Sequence, residues 1–373
     1  MNTNTSSPPA RYIMVGGFLG AGKTTAVARL ARHLTEQGRR VGLITNDQGR
    51  GLVDTALLAS RGFAVEEIPG GCFCCRFSSL VEAARRLTAA TRPDVFIAEP
   101  VGSCTDLVAT VSYPLRRIYG DDFSVAPLSV LLDPVRARRI LGLAEGPKFS
   151  EKVVYIYLKQ LEEADCLVIN KRELLGPGEL EGLRAELARR FPRAEVCDIS
   201  ARHGDGLESW FARVERQTPR GGAAMGVDYE VYAEGEALLG WLNATVQVGA
   251  PAALDGNELL RTLAATLQAR LASAGAEVAH LKMTLDPGDG LGGLGVVNLV
   301  RNDHVPELSQ ELEEPVDRAE LILNLRAEAP PEILRDAVAA ALAGLAPAIS
   351  ARLEHLEFFQ PGKPQPEHRL TSL

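Results

Sequence analysis

The stretch GFLGAGKT, from Gly17 to Thr24, decides the fold of this chain, because it has the G-x-x-x-x-G-K-T spacing of a loop that cradles phosphate. The apolar run RYIMVGG from Arg11 leads into it as a strand, and the run TTAVARLARHLTEQG leads out of it as a helix. Backbone N–H groups of such a loop turn toward phosphate oxygens, and the helix N-terminus adds the positive end of its dipole. The pattern predicts a nucleotide-binding site rather than a glycine-rich turn with a chance lysine.

The polar residues of this loop have distinct expected roles. Lys23 contacts the outer phosphates and supports catalysis by offsetting their charge, and the Thr24 hydroxyl ligates magnesium. The small residues of the loop that bind phosphate through the backbone are Gly17, Gly20, Ala21 and Gly22. The sequence thus predicts a site for a magnesium-bound nucleoside triphosphate.

Composition limits the class of protein. A length of 373 residues suggests two domains, and 46% hydrophobic with 24% charged residues is typical of soluble globular proteins. A net charge of -8 without a basic run argues against nucleic acid as a partner. The opening MNTNTSSPPA lacks the apolar core of a signal peptide, and no apolar run approaches the length of a membrane span, so we expect a cytoplasmic protein without a membrane partner.

Apolar runs alternate with helical patterns after the loop. The runs that read as strands are RRVGLIT, FAVEEI, DVFIAEP, APLSVLLDP, DCLVIN and AEVCDIS. This alternation predicts an α/β fold of the P-loop NTPase type, with a doubly wound, mostly parallel sheet. Asp47 follows the second strand, at the end of the sheet where ligands bind, so it is a candidate catalytic residue near the magnesium shell; capping of a turn is the other interpretation.

The strand DVFIAEP ends in an acidic residue close to the expected phosphate site. Glu99 is placed to hold magnesium or to orient a water molecule for catalysis. The following Gly102 offers an N–H group that senses the terminal phosphate. Cys104, five residues after Glu99, is either a core residue or a further thiolate ligand.

The segment PGGCFCCRF holds three cysteines in four positions, at Cys72, Cys74 and Cys75. Two preceding glycines suggest a bend that brings the sulfurs to one point, where three thiolates suit zinc or another thiophilic ion. Six cysteines in this length are too few for a disulfide scaffold. Metal binding is the favoured interpretation; buried core cysteines and a redox pair of Cys72 with Cys75 are the alternatives.

Two later segments are typical of purine recognition. The run N-K-R-E begins at Asn170, and the run S-A-R begins at Ser200; they resemble the N-K-x-D and S-A-K motifs of GTPases. Guanine presents two N–H donors on one edge, which the Glu173 carboxylate can accept together, while the Lys171 methylenes cover the purine face. Ala201 completes this set, which favours guanine over adenine.

Together these motifs, in this order, resemble the CobW-type branch of P-loop GTPases over residues 11–216. Members of that family act as GTP-dependent metallochaperones for zinc, cobalt or similar ions. The resemblance implies ligands of the transported ion at Cys72, Cys74 and Cys75, contacts to phosphate and magnesium from Lys23, Thr24 and Thr25, and guanine recognition by Asn170, Lys171 and Glu173.

The chain departs from the family pattern in two places. The acidic E-N-E-F-G-E stretch common in members is TNDQGR here, which leaves Asp47 as its only carboxylate, and the six histidines are scattered rather than gathered in a tract. The transported ion is therefore expected to be zinc or cobalt, without a preference between them.

The resemblance predicts a GTPase with GTP, Mg²⁺ and Zn²⁺ or Co²⁺ as cofactors, a client metalloenzyme as partner, and a homodimer as a candidate assembly. Two other functions stay open. One is an adaptor for a cobalamin-dependent or other metalloenzyme, whose cysteines hold a structural metal. The other is a redox ATPase.

The remaining residues predict a second, smaller domain. Residues 217–226 read as a linker after the GTPase domain of residues 11–216, and residues 227–360 combine alternating strands with helical leucine stripes, which predicts an α+β domain. His280 and His304 are isolated and read as surface or hydrogen-bonded residues. Residues 1–10 and 361–373 are expected to be disordered.

Overall fold

The computed structural model describes residues 9–46, 53–288, 293–345, 347 and 349–373. Its strands form two separate sheets, one built from residues 10–198 and the other from residues 239–359. Among the described helices, none is long and apolar enough to cross a membrane.

The first sheet follows the phosphate loop in the chain. Its strands are β1 (Ala10–Gly17), β2 (Val41–Asn46), β3 (Ala64–Ile68), β4 (Val95–Glu99), β5 (Phe123–Val125), β6 (Ser129–Leu132), β7 (Cys166–Ile169) and β8 (Glu195–Asp198). The helices between and after them are α1 (Lys23–Glu36), α2 (Val53–Ser60), α3 (Phe77–Thr91), α4 (Tyr113–Ile118), α5 (Pro134–Ile140), α6 (Glu151–Glu163), α7 (Pro177–Arg190) and α8 (Leu207–Arg216).

The order of the strands places the phosphate loop at the centre of this sheet. The order is β3-β2-β4-β1-β6-β7-β8, with the short β5 beside the start of β1, and the pairings are parallel. The predicted doubly wound parallel sheet is confirmed. Because β1 lies between β4 and β6, the loop after β1 is flanked by the segments that leave those two strands, and a ligand there meets residues from all three.

The second sheet is antiparallel. Helix α9 (Tyr229–Leu238) leads into it, and its strands are β9 (Leu239–Leu254), β10 (Glu277–Asp286), β11 (Gly295–Leu299), β12 (Glu307–Gln310), β13 (Val316–Glu328) and β14 (Ser350–Phe359), with helices α10 (Gly256–Ser273) and α11 (Pro331–Ala343) between them. The order is β12-β11-β10-β13-β9-β14. The sequence predicts β9, β10 and β13, while β11, β12 and β14 lack a strong alternating pattern.

The two faces of this sheet differ in chemistry. On β10, the apolar Leu281, Met283 and Leu285 pack in a core with the leucines of α10. His280 and Lys282 alternate with them and therefore lie on the opposite face, which is turned to the first sheet. The second sheet thus buries its apolar face against its own helices and turns a polar face to the half of the chain that carries the Gly17–Thr24 loop.

A buried ionic cluster joins the two halves. Asp133, the N-cap of α5, pairs with Lys171 at 3.0 Å and with Arg301, which follows β11, at 3.0 Å. The Arg136 guanidinium donates to the carbonyl of Leu19 at 2.8 Å and to the carbonyl of Val300. Charges from both halves therefore neutralise each other in the interior, which ties the second sheet to the phosphate loop.

The segment 361–373, for which the sequence predicts disorder, makes specific contacts with the first domain. The Glu367 N–H donates to the Cys74 carbonyl at 3.0 Å, and the Leu370 N–H donates to the Ala109 carbonyl at 2.9 Å. Arg369 pairs with the buried Asp106 at 2.7 Å. The polar, proline-containing composition suggested disorder, but specific bonds to the first domain hold this segment, which we call the tail, against its surface.

Candidate functional site

The phosphate loop has a backbone that only glycine adopts easily. Gly17, Gly20 and Gly22 all have positive φ, at 131°, 80° and 85°. A β-carbon on Gly22 would lie 2.4 Å from the Asn170 side-chain nitrogen, and one on Gly17 would lie 2.2 Å from the Leu131 carbonyl oxygen. The glycines of the motif are therefore required by close approach to β6 and to the segment after β7 as well as by the turn.

The two predicted base-reading segments brace this loop directly. The Asn170 amide donates to the Ala21 carbonyl at 2.8 Å and accepts from the Ala201 N–H at 3.0 Å. Lys171, which itself has a positive φ of 55°, donates to the Gly20 carbonyl at 2.8 Å. The three motifs that were distant in sequence thus form one hydrogen-bonded unit.

A cavity of about 630 Å³ opens beside this unit. Predicted nucleotide residues that line it are Gly20, Gly22, Lys23, Thr24, Thr25, Glu99, Gly102, Asn170, Lys171, Glu173 and Ala201. Gly17, Ala21 and Ser200 support the walls without being among the lining residues, and Asp47 lies outside the described residues. The volume is in the range of small-molecule sites and suits a nucleotide.

Oxygen ligands converge at the inner end of this cavity. The Thr24 hydroxyl lies 2.6 Å from Asp54 Oδ1 and 3.0 Å from Glu99 Oε1. Glu99 Oε2 is buried and has no hydrogen-bond partner within the described part of the chain. A hydroxyl with two carboxylates is the hard oxygen set that Mg²⁺ prefers, so these residues fit the ion.

Burial changes the protonation of the charged groups here. Burial, reinforced by the charge of Asp54, raises the pKa of Glu99 to about 7. Burial also lowers the pKa of Lys23, although the nearby Glu99 carboxylate acts in the opposite direction. A cation at the Thr24 hydroxyl would favour the ionised form of Glu99.

Three residues of the site were not foreseen from the sequence. Asp54 opens α2 and lies in no recognised motif, and Lys282 reaches the Thr24 hydroxyl from the second sheet at 3.2 Å. Asn46, at the end of β2, lines the cavity and donates to the Gly71 carbonyl at 2.6 Å. A polar residue at the carboxyl end of a parallel strand was a usable signal for Asn46; for Lys282 only the three-dimensional fold supplies one.

The three predicted cysteines lie together in the turn between β3 and α3. The sulfur of Cys72 is 2.7 Å from that of Cys74 and 3.3 Å from that of Cys75, and the last two are 3.6 Å apart. Gly70 and Gly71 have positive φ, at 77° and 150°, which provides the predicted bend. Within the part of the chain that the structure describes, these three sulfurs form a group of potential metal ligands that all lie within 4.8 Å of one another.

Cys104 approaches the same cluster from the segment after β4. Hydrogen bonds from Cys104, Cys74 and Cys75 hold the pKa of Cys72 well below its ordinary value, which favours a thiolate there. Cys104 itself is buried, and burial raises the pKa of its thiol well above the ordinary value. The cluster therefore has one sulfur prepared to bind a cation and others that would release protons on metal binding.

This sulfur set fits a thiophilic divalent ion. In tetrahedral coordination with Zn–S bonds of about 2.3 Å, sulfurs lie about 3.8 Å apart. The cluster needs shifts of about 1 Å or less to reach that spacing, and side-chain rotations of the turn residues can supply them. Cys72 and Cys74 are buried while Cys75 is partly exposed, so an ion would enter from the Cys75 side.

The tail covers that side. The Gln365 N–H donates to the Cys75 sulfur at 3.1 Å, and the Glu367 carboxylate accepts from the Ser78 N–H at 2.9 Å at the start of α3. The His368 ring packs edge-on against Phe77 with centroids 5.1 Å apart. Access to the cysteines therefore passes the tail.

Deleting residues 361–373 should make Cys75 react about tenfold faster with a thiol reagent in the metal-free protein, because the covering chain is lost. This gain in access acts against the loss of the Gln365 amide, whose hydrogen bond lowers the pKa of the Cys75 thiol. The measurement is the rate of maleimide labelling, with labelled sites mapped by mass spectrometry. Lys363→Ala is the matched control, since it removes only a surface ion pair with Glu230. Equal labelling rates in the truncated and intact proteins would contradict a covering role.

The phosphate loop, the oxygen ligands and the adjoining thiol cluster define a P-loop nucleotide-binding protein with a candidate metal site beside the nucleotide cavity. The sequence model of the CobW/HypB/UreG nucleotide-binding domain matches residues 11–198, which is half of the chain. This chain belongs to the CobW/HypB/UreG family.

Similar proteins support the family assignment. The zinc chaperone YeiR of Escherichia coli strain K12 is 29% identical over 177 residues, which are 47% of this chain and 50% of YeiR. The zinc chaperone CobW of Sinorhizobium sp is 28% identical over 221 residues, 54% of this chain and 61% of that protein. The chain therefore spans about half to three fifths of the length of these relatives.

Among solved structures, zinc-bound YjiA GTPase from Escherichia coli aligns with 90% of this chain and 99% of its own, at 16% identity and a TM-score of 0.36.

Proposed function

We propose that this protein binds and hydrolyses GTP and uses the nucleotide state to control zinc or cobalt at Cys72, Cys74 and Cys75. One observation carries the proposal. Strand β4 ends at Glu99, which contacts the Thr24 hydroxyl, and five residues later the segment that follows reaches Cys104, whose thiol lowers the pKa of Cys72 in the cysteine cluster. A shift of this segment at the nucleotide end would therefore move a thiol at the metal end.

Guanine recognition rests on the segments that brace the loop. Glu173 lines the cavity with an exposed carboxylate, which is free to accept both N–H donors of a guanine edge. Asn170 and Lys171 are hydrogen-bonded to the phosphate loop. A base that contacts them would therefore lie at a fixed distance from phosphates bound in the loop. These residues support GTP over ATP as the substrate.

Hydrolysis would depend mainly on positioning and electrostatics. Lys23 and the loop N–H groups would hold the phosphates, and Mg²⁺ bound at Thr24 and Glu99 would supply positive charge to the oxygens on which charge develops. Glu99, once ionised, has a second buried oxygen available to hold a water molecule or the metal shell. Residues of the second domain line one side of the cavity and would reduce the access of bulk water to a bound nucleotide.

The metal is the cargo in this proposal, and a client metalloenzyme is its destination. Thiolate ligands favour zinc or another soft ion over magnesium, and both relatives named above are called zinc chaperones. Gly102 links the two sites mechanically, because a β-carbon there would lie 2.7 Å from the Leu19 side chain of the phosphate loop. Movement of the loop would therefore displace the segment that carries Cys104.

The test is a zinc competition titration of the protein with GTP, a non-hydrolysable GTP analogue or GDP. We expect the zinc affinity to differ by about tenfold between triphosphate and diphosphate forms, a typical coupling between two sites. The same titration with cobalt decides between the two ions. Equal affinities in all nucleotide states would contradict the proposed coupling.

A second candidate function is an adaptor with a structural metal, and the tail over Cys75 favours it. A structural ion contributes folding free energy, so its removal lowers the melting temperature greatly. A carried ion contributes less, because its site must release it. Melting the protein before and after chelation therefore separates the two candidates.

A further inference from the structure

A row of polar side chains crosses the second sheet on the face turned to the nucleotide site. Lys282 of β10 lies opposite Asn298 of β11 and Asn324 of β13, and Asn324 lies opposite Asn243 of β9. Lys282 is the basic residue at the centre of this row. The side chain is largely shielded, since only 14% of its surface is exposed.

This row holds the start of helix α2. The Val53 N–H donates to Asn324 Oδ1 at 3.0 Å, and the next residue, Asp54, forms an ion pair with Lys282. Asp54 also accepts from the Thr24 hydroxyl at 2.6 Å. The first turn of α2 is therefore held between the second domain and the phosphate loop.

Lys282 lies among the groups that are expected to hold magnesium. Its ammonium donates to the Thr24 hydroxyl at 3.2 Å and contacts the same Asp54 oxygen that the hydroxyl approaches. Glu99 Oε1 is 3.0 Å from that hydroxyl. One ammonium group thus neutralises the oxygen cluster that would otherwise attract a divalent cation.

We propose that Lys282 is a positioning residue of the nucleotide site, that it competes with Mg²⁺ for Thr24 and Asp54, and that magnesium binding weakens the attachment of α2 to the second domain. A hydroxyl oxygen has two lone pairs, and a cation coordinated beside the Lys282 ammonium would be repelled by it. Mg²⁺ also demands compact octahedral geometry, which a bulky ammonium on the same oxygens obstructs. Occupation by one cation therefore excludes the other.

The consequence is reciprocal coupling. If magnesium binding weakens the contact of Lys282 with Asp54, then that contact must weaken the binding of magnesium by the same factor. The second domain would hold the magnesium site closed until the ion arrives. The competition between Lys282 and magnesium is inferred from the contacts of Lys282 alone. The expected effect on GTP binding rests on the proposed function.

The test compares the full-length protein with Lys282→Met, which keeps an unbranched side chain one atom shorter and removes its charge. Melting temperatures are measured against MgCl₂ alone, and GTP binding is measured against MgCl₂ in a second series. We expect the half-effective magnesium concentration to fall about tenfold in Lys282→Met in both series, because the competing cation is gone. Lys282→Arg retains the charge and should stay close to the wild type.

A structural readout accompanies these titrations. Hydrogen exchange of the amides at 53–60 should speed up when magnesium binds the wild type, and it should already be fast in Lys282→Met without magnesium. Lys152→Met is the matched control, because this lysine forms an exposed pair with Glu234. It should leave both the magnesium dependence and the exchange unchanged.

Two results would overturn the proposal. One is an unchanged half-effective magnesium concentration in Lys282→Met. The other is loss of GTP turnover in that variant with unchanged magnesium dependence, which would place the lysine on the phosphates instead. A wild type that binds no GTP would refute the proposed function, while the melting series with MgCl₂ alone would still decide the role of Lys282.

Discussion

Replacing Cys72 and Cys74 together by serine should lower zinc affinity about 1,000-fold or more. Structural zinc sites with four ligands bind with roughly 10–16 kcal/mol at neutral pH, so each thiolate contributes a few kcal/mol and two contribute at least three powers of ten. Serine is nearly isosteric but stays neutral at pH 7, and it offers a hard oxygen where the ion prefers sulfur. Competition with a chromogenic zinc chelator measures the loss.

The chain offers a matched control for this experiment. Cys166 and Cys197 are another buried pair, on β7 and β8, with sulfurs 3.7 Å apart. Their double serine variant loses the same number of thiols without touching the turn after β3. Zinc affinity should then stay within about twofold of the wild type, and a large loss there, or none in the first variant, would place the site elsewhere.

The predictable part of the fold is the part governed by local chemistry. The phosphate loop could be identified because its glycines, lysine and threonine are adjacent in sequence and each is required by the backbone or by a phosphate. The bend at Gly70 and Gly71 was likewise foreseeable, since two glycines before a thiol cluster allow positive φ. Continuous apolar runs separated by helical patterns were sufficient to predict the parallel sheet, because its strands are buried on both faces.

The parts that escaped prediction depend on contacts between distant residues. Nothing near Lys282 in sequence indicates that β10 turns its polar face to Thr24, because that orientation depends on how the two sheets meet. The tail has a composition typical of disorder, yet Glu367 supplies the N-terminal cap that α3 lacks from its own Arg76. Such pairings depend on tertiary structure, so local sequence propensities do not predict them.

The other large effect concerns the ionic cluster around Asp133. Replacing Asp133 by alanine should lower the free energy of unfolding by about 3–5 kcal/mol, because Lys171, Arg136 and Arg301 would lose the buried anion that they share. The aspartate is also the N-cap of α5, whose loss adds about 1 kcal/mol. Urea unfolding followed by circular dichroism measures the difference.

The control for this variant removes a more exposed partner of the same arginine. Asp303 pairs with Arg301 at 3.1 Å but keeps 37% of its side chain exposed, compared with 3% for Asp133. Asp303 also pairs with Arg139, but pairs with a partly exposed carboxylate contribute about 1 kcal/mol or less each, so Asp303→Ala should cost less stability than Asp133→Ala. A similar loss in both variants would show that burial is not the cause.

The pH dependence of Asp133→Asn distinguishes charge from shape. Burial alone would raise the pKa of Asp133, but the charges of Lys171, Arg301 and Arg136 hold it well below its ordinary value of 3.8. A carboxyl with a lowered pKa stabilises the fold at every pH above its unfolded value, and this contribution is lost as the pH falls through the folded value. The stability difference between wild type and Asp133→Asn should therefore be constant from pH 7 to about pH 5 and shrink in stronger acid. A stability difference that persists at low pH would mean that Asp133→Asn is destabilised because the amide cannot form the hydrogen bonds of the carboxylate. The negative charge would then not be what joins the two domains.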